Sequence, residues 1–182
     1  MPSPRSVHWL LDIDGVINAE RPGRMRHDHP DARLDWNDWH RQRVVADQSS
    51  FMLHWSNELL DEIRKLTVDF PSLEILLCST WCMCSENLLP ALGFDWPLAF
   101  TQVGYTAHSR QPWAIWEAKE TAVQERIDDG IPVIWTDDEA NEIWTLGQPM
   151  PGVLMIAPES KAGLNRLHLE LIRKFLEVQT YA

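Results

Sequence analysis

The stretch Leu10-Leu11-Asp12-Ile13-Asp14-Gly15-Val16 joins an apolar run to a pair of carboxylates. The run begins at Val7 and predicts a buried β-strand with Asp12 and Asp14 at its carboxyl end. In extended backbone, residues two positions apart project to the same side, so both carboxylates can converge on one cation, and Gly15 allows a tight exit turn. A solvated Asp-Gly turn is the alternative for this stretch taken alone.

Further short apolar runs predict the other strands of a sheet, because each is too short for a helix of average length. They are Leu73 to Cys78, Leu98 to Val103, Val133 to Thr136 and Val153 to Ala157. Apart from the run at Leu98, they are almost continuously apolar, which is typical of parallel strands that helices cover on both faces.

The segments between these strands have the periodicity of amphipathic helices. A first helix follows the candidate N-cap Ser56 and places four residues on one face: Leu59, Leu60, Ile63 and Leu66. A second starts at Pro112 and ends near Gly130, with three residues spaced for burial: Trp116, Val123 and Ile127. A short helix is predicted from about Glu139 to Leu146. The last helix carries five apolar residues: Leu164, Leu167, Leu171, Phe175 and Val178.

This alternation predicts an α/β fold, a doubly wound, Rossmann-like and mostly parallel sheet of about five strands with helices on both faces. Ligands of such sheets bind beyond the carboxyl ends of the strands. Candidate functional residues are therefore expected at those ends.

The composition favours one ordinary domain over residues 1–182, since 45% of the 182 residues are hydrophobic. The net charge of -11 argues against a surface that coats nucleic acid, because neutralising phosphates requires clustered Lys and Arg. No apolar stretch is long enough for a signal peptide core or a membrane span, so we expect a cytoplasmic protein without membrane contact.

The three cysteines, Cys78, Cys82 and Cys84, form one cluster. Their odd number fits neither a disulfide framework nor a four-ligand zinc site. Buried thiols in a reducing compartment are the preferred interpretation, and a redox pair of Cys82 and Cys84 is the alternative.

Three more polar groups follow strands or begin helices. Ser79 and Thr80 end the second run, where a hydroxyl and backbone N–H groups can hold a phosphate oxygen or simply cap the next helix. Lys119, near the start of the helix after Pro112, can reach a bound phosphate, although a solvated lysine is the ordinary alternative. Asp137 and Asp138 follow the fourth run and can hold Mg²⁺ or cap a helix.

The order of these groups along the chain is Asp-x-Asp, Ser or Thr, Lys, and Asp-Asp. In this order, and in the stretch from Leu10 to Val16, the sequence resembles the haloacid dehalogenase-like (HAD) superfamily of phosphotransferases and phosphatases. The match runs from Leu10 to about Glu177. Within the superfamily the chain resembles the compact domains of "Swiss army knife" RNA repair proteins through three stretches: Ser79-Thr80-Trp81, Ile134-Trp135-Thr136-Asp137-Asp138-Glu139 and Gly163-Leu164-Asn165-Arg166-Leu167-His168.

The resemblance implies a HAD-like, Mg²⁺-dependent phosphatase with an aspartyl-phosphate intermediate. Asp12 would attack phosphorus, and Asp14 would protonate the leaving oxygen and then activate water. The implied ligands of Mg²⁺ are the Asp12 carboxylate, the Asp14 backbone carbonyl and Asp137, with Asp138 as a further ligand or directly behind one. Ser79, or alternatively Thr80, would bind the transferring phosphoryl group together with Lys119.

The segment after Asn18 lacks clear periodicity and predicts a short flap at about residues 19–52, in place of the large cap domain of many family members. Its cationic and aromatic side chains favour a nucleotide or nucleic-acid end as substrate. These side chains are Arg21, Arg24, Arg26, Arg33, Arg41, Arg43, His27, His29, Trp36 and Trp39. Interleaved aspartates leave a solvated, charge-balanced flap as the alternative.

From this region Arg24, Arg26 and His27 are substrate candidates, together with Trp81 beside the second run. Trp113 is a further aromatic candidate for substrate packing. The expected partner is a phosphorylated small molecule or nucleic-acid end, and the oligomeric state is left open.

Two other functions fit part of the pattern. A phosphoacceptor receiver domain shares the sheet, the aspartates and a lysine, but there the lysine comes last, whereas Lys119 precedes Asp137. A non-catalytic phosphate- or nucleotide-binding module on the same fold is the other alternative, and the intact set of acidic and basic residues counts against it.

Overall fold

A parallel sheet forms the centre of the computed structural model, which describes residues 5–19, 35–46, 49–100, 112–143 and 150–181. Its four strands lie in the order β4-β1-β5-β6. They are β1 (Val7–Leu11), β4 (Leu73–Leu77), β5 (Val133–Thr136) and β6 (Val153–Ile156). A separate antiparallel pair consists of β2 (Trp39–Ala46) and β3 (Ser49–Ser56), and we call it the β2–β3 ribbon.

Helices flank the sheet, and a 3-10 helix lies at Thr80–Cys84. The α-helices are α1 (Asn57–Asp69), α2 (Ser85–Leu92), α3 (Pro112–Asp128), α4 (Ala140–Ile143) and α5 (Arg166–Tyr181). The predicted α/β class with a mostly parallel sheet is therefore confirmed.

Side-chain alternation along β1 assigns the helices to the two faces of the sheet. Trp9 and Leu11 belong to a buried cluster that includes residues of α1 and α5. Leu10 points the other way and belongs to a second cluster with Ala122 and Val123 of α3. Both faces of the sheet are thus covered, as the continuous apolar runs predict.

The start of α1 confirms Ser56 as its N-cap. The Ser56 hydroxyl accepts from the Leu59 N–H at 3.4 Å and donates to Asp38 Oδ1 at 2.7 Å. Asp38 Oδ1 also accepts from the Glu58 N–H, so two side chains satisfy the free N–H groups of this helix end. The second predicted helix also begins where expected, at Pro112.

The sheet has fewer described strands than the sequence indicates. In the run from Leu98 to Val103, Leu98 makes a single parallel bridge to Leu77, and residues 101–103 lie outside the described part of the chain. The short helix expected to reach Leu146 is described from Ala140 to Ile143. The described part of the predicted flap is not irregular, because the β2–β3 ribbon occupies residues 39–46 and 49–56.

The buried face of α5 differs from the predicted one. Leu169, Ile172 and Leu176 are buried, whereas three residues assigned to the predicted face are exposed. These are Leu167, Leu171 and Val178, with exposed fractions of 60%, 41% and 63%. Leu164 is buried but precedes the helix.

None of the three cysteines forms a disulfide, and Cys78 and Cys82 are buried. Burial raises the pKa of both thiols, that of Cys82 to about 11, so they remain protonated at neutral pH. Across the described ranges, no helix combines the length and apolar content that crossing a bilayer requires.

Candidate metal and phosphate site

The residues that follow three sheet strands meet at one edge. Asp12 N–H donates to the Thr136 carbonyl at 3.0 Å, and Asp137 N–H donates to the Ile156 carbonyl at 3.1 Å. On the other side of β1, Cys78 N–H donates to the Leu11 carbonyl at 2.9 Å. The parallel ladders therefore end level with one another and bring the polar residues to the carboxyl edge of the sheet.

A buried ammonium joins two of these acidic residues. Lys119 Nζ lies 2.8 Å from Asp12 Oδ2 and 2.7 Å from Asp137 Oδ2. Lys119 is 3% exposed, Asp12 5% and Asp137 0%. Lys119 lies in the middle of α3 rather than near its start, and its side chain reaches the residues that follow β1 and β5.

Asp138 completes a cluster of carboxylates. In the described part of the chain, Asp12, Asp137 and Asp138 each offer an oxygen within 4.8 Å of the others. Carboxylate oxygens at this spacing are the donors that Mg²⁺ prefers, and the ion usually keeps several water ligands besides. One lysine cannot neutralise all three anions, so the donor set fits a divalent cation.

The electrostatic balance is visible in the pKa values. Burial alone would lower the pKa of Lys119, but Asp12 and Asp137 outweigh it and raise the pKa above its ordinary value. Burial and repulsion from Asp12 raise the pKa of Asp137. Partial burial, with Asp12 and Asp137 as further causes, raises the pKa of Asp138 to about 7. The lysine therefore stays charged while the acidic cluster is short of positive charge.

Asp14 does not converge on this cluster with its side chain. Its Oδ1 accepts from Asn18 Nδ2 at 2.6 Å, and its Oδ2 accepts from Trp81 Nε1 at 2.9 Å. The expectation that the two carboxylates of Asp-x-Asp point to one place fails because β1 ends at Leu11 and the chain then turns. Loss of solvation and repulsion from Asp12 raise the pKa of Asp14 despite these hydrogen bonds.

Gly15 lies directly against the acidic cluster. Its φ is +70°, in the left-handed region that favours glycine, and an added Cβ would overlap the Asp138 carboxylate. The backbone of this turn is therefore packed against a candidate metal ligand, and no side chain fits between them.

Substituting Gly15 by Ala is expected to lower the free energy of unfolding and to displace Asp138. The matched control is Gly152→Ala, because Gly152 has φ +82° and nothing within 4 Å of an added Cβ. The control should lose about 1 kcal/mol from the backbone alone, and Gly15→Ala about 1–3 kcal/mol more from overlap. Urea unfolding measures both, and equal losses would show that the Asp138 contact is unimportant.

Ser79 and Thr80 occupy different environments. Ser79 is buried and caps the 3-10 helix, accepting from the Trp81 N–H at 3.4 Å, whereas Thr80 is exposed. Helix capping, one of the two roles expected for Ser79 from the sequence, is therefore confirmed. Phosphate binding by either hydroxyl stays a prediction.

The flap candidates are only partly described. Arg24, Arg26 and His27 lie outside the described residues, as do the others between residues 20 and 34. Trp36 is buried and donates to the Leu164 carbonyl at 2.7 Å, so its ring is not available to a substrate. Arg41 and Arg43 are exposed on the β2–β3 ribbon. Nothing is described of the Trp113 side chain.

Sequence reasoning missed the partners of Asp14. Asn18 and Trp81 both donate to Asp14, whereas the sequence suggests only the start of a flap for Asn18 and a substrate contact for Trp81. The four-residue spacing of Asp14 and Asn18 was the available signal for a side-chain bridge across a turn. No local pattern could indicate the bond from Trp81, which lies 67 residues away.

The fold and site together define an α/β protein with a lysine-centred acidic cluster at the carboxyl edge of a parallel sheet. Comparison with known protein families, with curated proteins and with solved structures yields no match to this chain.

Proposed function

We propose that this chain is a HAD-like, Mg²⁺-dependent phosphohydrolase that cleaves a phosphomonoester through an aspartyl-phosphate on Asp12. One observation carries the proposal: the buried Lys119 ammonium contacts both Asp12 and Asp137, with Asp138 within 4.8 Å of them. Three clustered acids with a single lysine between them lower stability, so such a cluster is typical of a functional site.

Three side chains of this cluster would hold Mg²⁺, namely those of Asp12, Asp137 and Asp138, and the Asp14 backbone carbonyl is a fourth candidate ligand. The bound ion would neutralise charge on the phosphoryl oxygens and on the attacking carboxylate. The raised pKa values of Asp137 and Asp138 support this assignment, because burial and repulsion from neighbouring carboxylates disfavour their charged forms, which a bound cation would favour.

Two hydrogen bonds hold the carboxylate of Asp12, the residue we assign as the nucleophile. Its Oδ1 accepts from the Ile13 N–H at 2.7 Å and its Oδ2 from Lys119. These bonds fix the carboxylate, and each oxygen retains a lone pair for bonding to phosphorus. Lys119 would also offset charge that develops on the phosphoryl group in the transition state.

The reaction takes two displacements. In the first, an Asp12 oxygen bonds to phosphorus, the bond from phosphorus to the leaving oxygen breaks, and Asp14 donates the proton that makes the leaving group an alcohol. In the second, water attacks phosphorus, Asp14 accepts a proton from it, and phosphate leaves with Asp12 restored. Asp14 is the acid assigned to the first step, and loss of solvation raises its pKa from the ordinary value.

A nucleotide or nucleic-acid end is the substrate class we favour. The exposed Arg41 and Arg43 on the β2–β3 ribbon offer guanidinium groups to phosphates, and Arg43 donates to Ser50 across the ribbon at 3.3 Å. Arg24, Arg26 and His27 remain sequence-based candidates for the same substrate.

The direct test is release of phosphate from p-nitrophenyl phosphate, from nucleoside monophosphates and from oligonucleotides with a 3′- or 5′-phosphate. We expect turnover with Mg²⁺ and none after chelation. Equal traces of activity from the native protein and from Asp12→Asn would instead favour a non-catalytic binding module.

Mg²⁺ is expected to raise the melting temperature, more at pH 8 than at pH 6. At a hundredfold excess over Kd the shift should be about 5–10 °C. The pKa of Asp138 is raised to about 7, so without metal its ionisation lowers stability as pH rises through 7. At pH 8 the carboxylate is free for the ion, whereas at pH 6 a proton must first be displaced.

Asp138→Asn should shrink both the Mg²⁺-induced shift and its pH dependence. The matched control is Asp61→Asn, because Asp61 is an exposed residue that pairs with Arg64 on the surface of α1. Shifts of equal size at both pH values in the native protein would contradict the assignment of Asp138.

A further inference from the structure

Each oxygen of the Asp14 carboxylate accepts one hydrogen bond, from Asn18 or from Trp81. Both of these residues in turn contact strand β3. Asn18 donates to Oδ1 at 2.6 Å, and the Asn18 Oδ1 accepts from the His54 N–H at 2.7 Å. Trp81 donates to Oδ2 at 2.9 Å, and its ring meets the Phe51 ring edge-on, with centroids 5.3 Å apart. His54 and Phe51 both belong to β3.

The hydrogen bonds fix the orientation of the Asn18 amide. Its oxygen must face the His54 N–H, which can only donate, so its NH₂ group must face Asp14. In the flipped orientation the Asn18 NH₂ group would face the His54 N–H, donor against donor. Its oxygen would face the Asp14 carboxylate, acceptor against acceptor. Strand pairing within the β2–β3 ribbon holds the backbone of His54 in place, and His54 in turn holds the Asn18 amide.

Trp81 is similarly constrained. Its side chain is 5% exposed, and the 3-10 helix that carries it is capped by Ser79. The indole N–H can only donate, so it presents one fixed donor to Asp14. Its ring is packed rather than free to contact a substrate.

We propose that Asn18 and Trp81 are positioning residues that hold the Asp14 carboxylate in its orientation for proton transfer, and that the β2–β3 ribbon supports both through His54 and Phe51. This inference rests on the proposed function. Each carboxylate oxygen has two lone pairs, and one donor on each leaves the other for a proton that moves to the leaving oxygen or from water.

The physical reason is geometric. A surface carboxylate with no partner turns about its terminal torsion, which is broad and has no steep preference. Two donors in fixed places restrict that rotation, and a displacement of about 1 Å at a reacting group can cost on the order of 100-fold in rate. The ribbon therefore affects the rate of proton transfer through His54 and Phe51, separately from any phosphate contact of Arg41 and Arg43.

The test compares Trp81→Phe and Asn18→Ala with the native protein under single-turnover conditions. Two substrates are used: glycerol phosphate, whose alkoxide leaving group needs a proton, and p-nitrophenyl phosphate, whose leaving group does not. We expect each variant to lose about tenfold to 100-fold in the rate of alcohol release from glycerol phosphate, with KM within about twofold, and to lose much less with p-nitrophenyl phosphate.

In an Asp14→Asn background, the same substitutions should have almost no further effect, because groups that act through one residue are not additive. Equal losses on both substrates, or full additivity with Asp14→Asn, would overturn the inference. Trp36→Phe is the matched control, because it also removes a buried indole N–H bond, to the Leu164 carbonyl, and should change neither substrate preference nor KM.

The indole N–H resonance of Trp81 provides a readout that needs no activity. It is identified by its absence in Trp81→Phe, and it should shift in Asp14→Asn but not in Trp36→Phe. An unchanged resonance would overturn the contact. If the native protein has no Mg²⁺-dependent turnover, the proposed function and this inference fall together. If Asp12→Asn is inactive but Trp81→Phe turns over glycerol phosphate normally, the inference alone is wrong.

Discussion

Asp12→Asn is expected to abolish Mg²⁺-dependent phosphate release, by on the order of 10⁴-fold or more, and to leave the fold intact. The amide has the shape of the carboxylate, and its oxygen can still accept from the Ile13 N–H or from Lys119. It carries no negative charge, however, and cannot form the acyl-phosphate. The loss should therefore fall on kcat, with the melting temperature in chelator little changed.

The control for this substitution is again Asp61→Asn, which changes an exposed carboxylate on α1 and should keep full activity. A second measurement addresses the intermediate itself: acid quenching of the native protein with labelled substrate should retain label on the chain, and Asp12→Asn should retain none. Near-normal activity of Asp12→Asn in a preparation free of contaminating phosphatase would show that another group attacks phosphorus.

The proximity of Asp12, Lys119 and Asp137 could be predicted because apolar runs in the sequence mark where buried strands end. Continuous apolar runs indicate parallel strands covered on both faces, and parallel strands place their carboxyl ends at one edge. Asp12 and Asp137 each follow such a run directly. Lys119 can pair with both acids because its helix packs beside that edge of the sheet.

The buried face of α5 could not be predicted from periodicity, because the helix has two apolar rows beside each other. Leu167, Leu171 and Val178 form one helical row, and Leu169, Ile172 and Leu176 form another. Packing against β6 and α1 selects the second row, and that choice depends on the sheet rather than on the helix itself.

The sequence does not predict the β2–β3 ribbon, for a related reason. Its residues mix charged, polar and aromatic side chains, and only one face of it packs on the core, through Val44, Leu53 and Trp55. The other face has exposed Val45 and Met52, so apolar and polar residues do not alternate cleanly. Contacts of the ribbon with the rest of the protein, such as that of Phe51 with Trp81, supply the order that the local pattern lacks.

Lys119→Met is expected to lower the free energy of unfolding by about 3–5 kcal/mol in the absence of Mg²⁺. The substitution removes the ammonium but keeps much of the apolar stem, so the loss reports the buried carboxylates of Asp12 and Asp137 left without a cation. Burial already raises the pKa of Asp137, which would tend to take up a proton without Lys119, and the deficit should therefore grow as pH rises from 5 to 8.

Two comparisons separate charge from packing at Lys119. Lys65→Met removes an exposed lysine whose partner is Glu62, and should change stability by about 0.5 kcal/mol or less. Adding Asp137→Asn to Lys119→Met removes one of the two carboxylates left without a cation. The double variant should therefore recover part of the lost free energy of unfolding, although a second native side chain has been altered.

Saturating Mg²⁺ should also reduce the loss of stability in Lys119→Met, because the ion supplies positive charge to the same oxygens. Urea unfolding with and without Mg²⁺ measures all these differences, and a Lys119→Met protein as stable as the native one would show that the acids do not depend on this lysine.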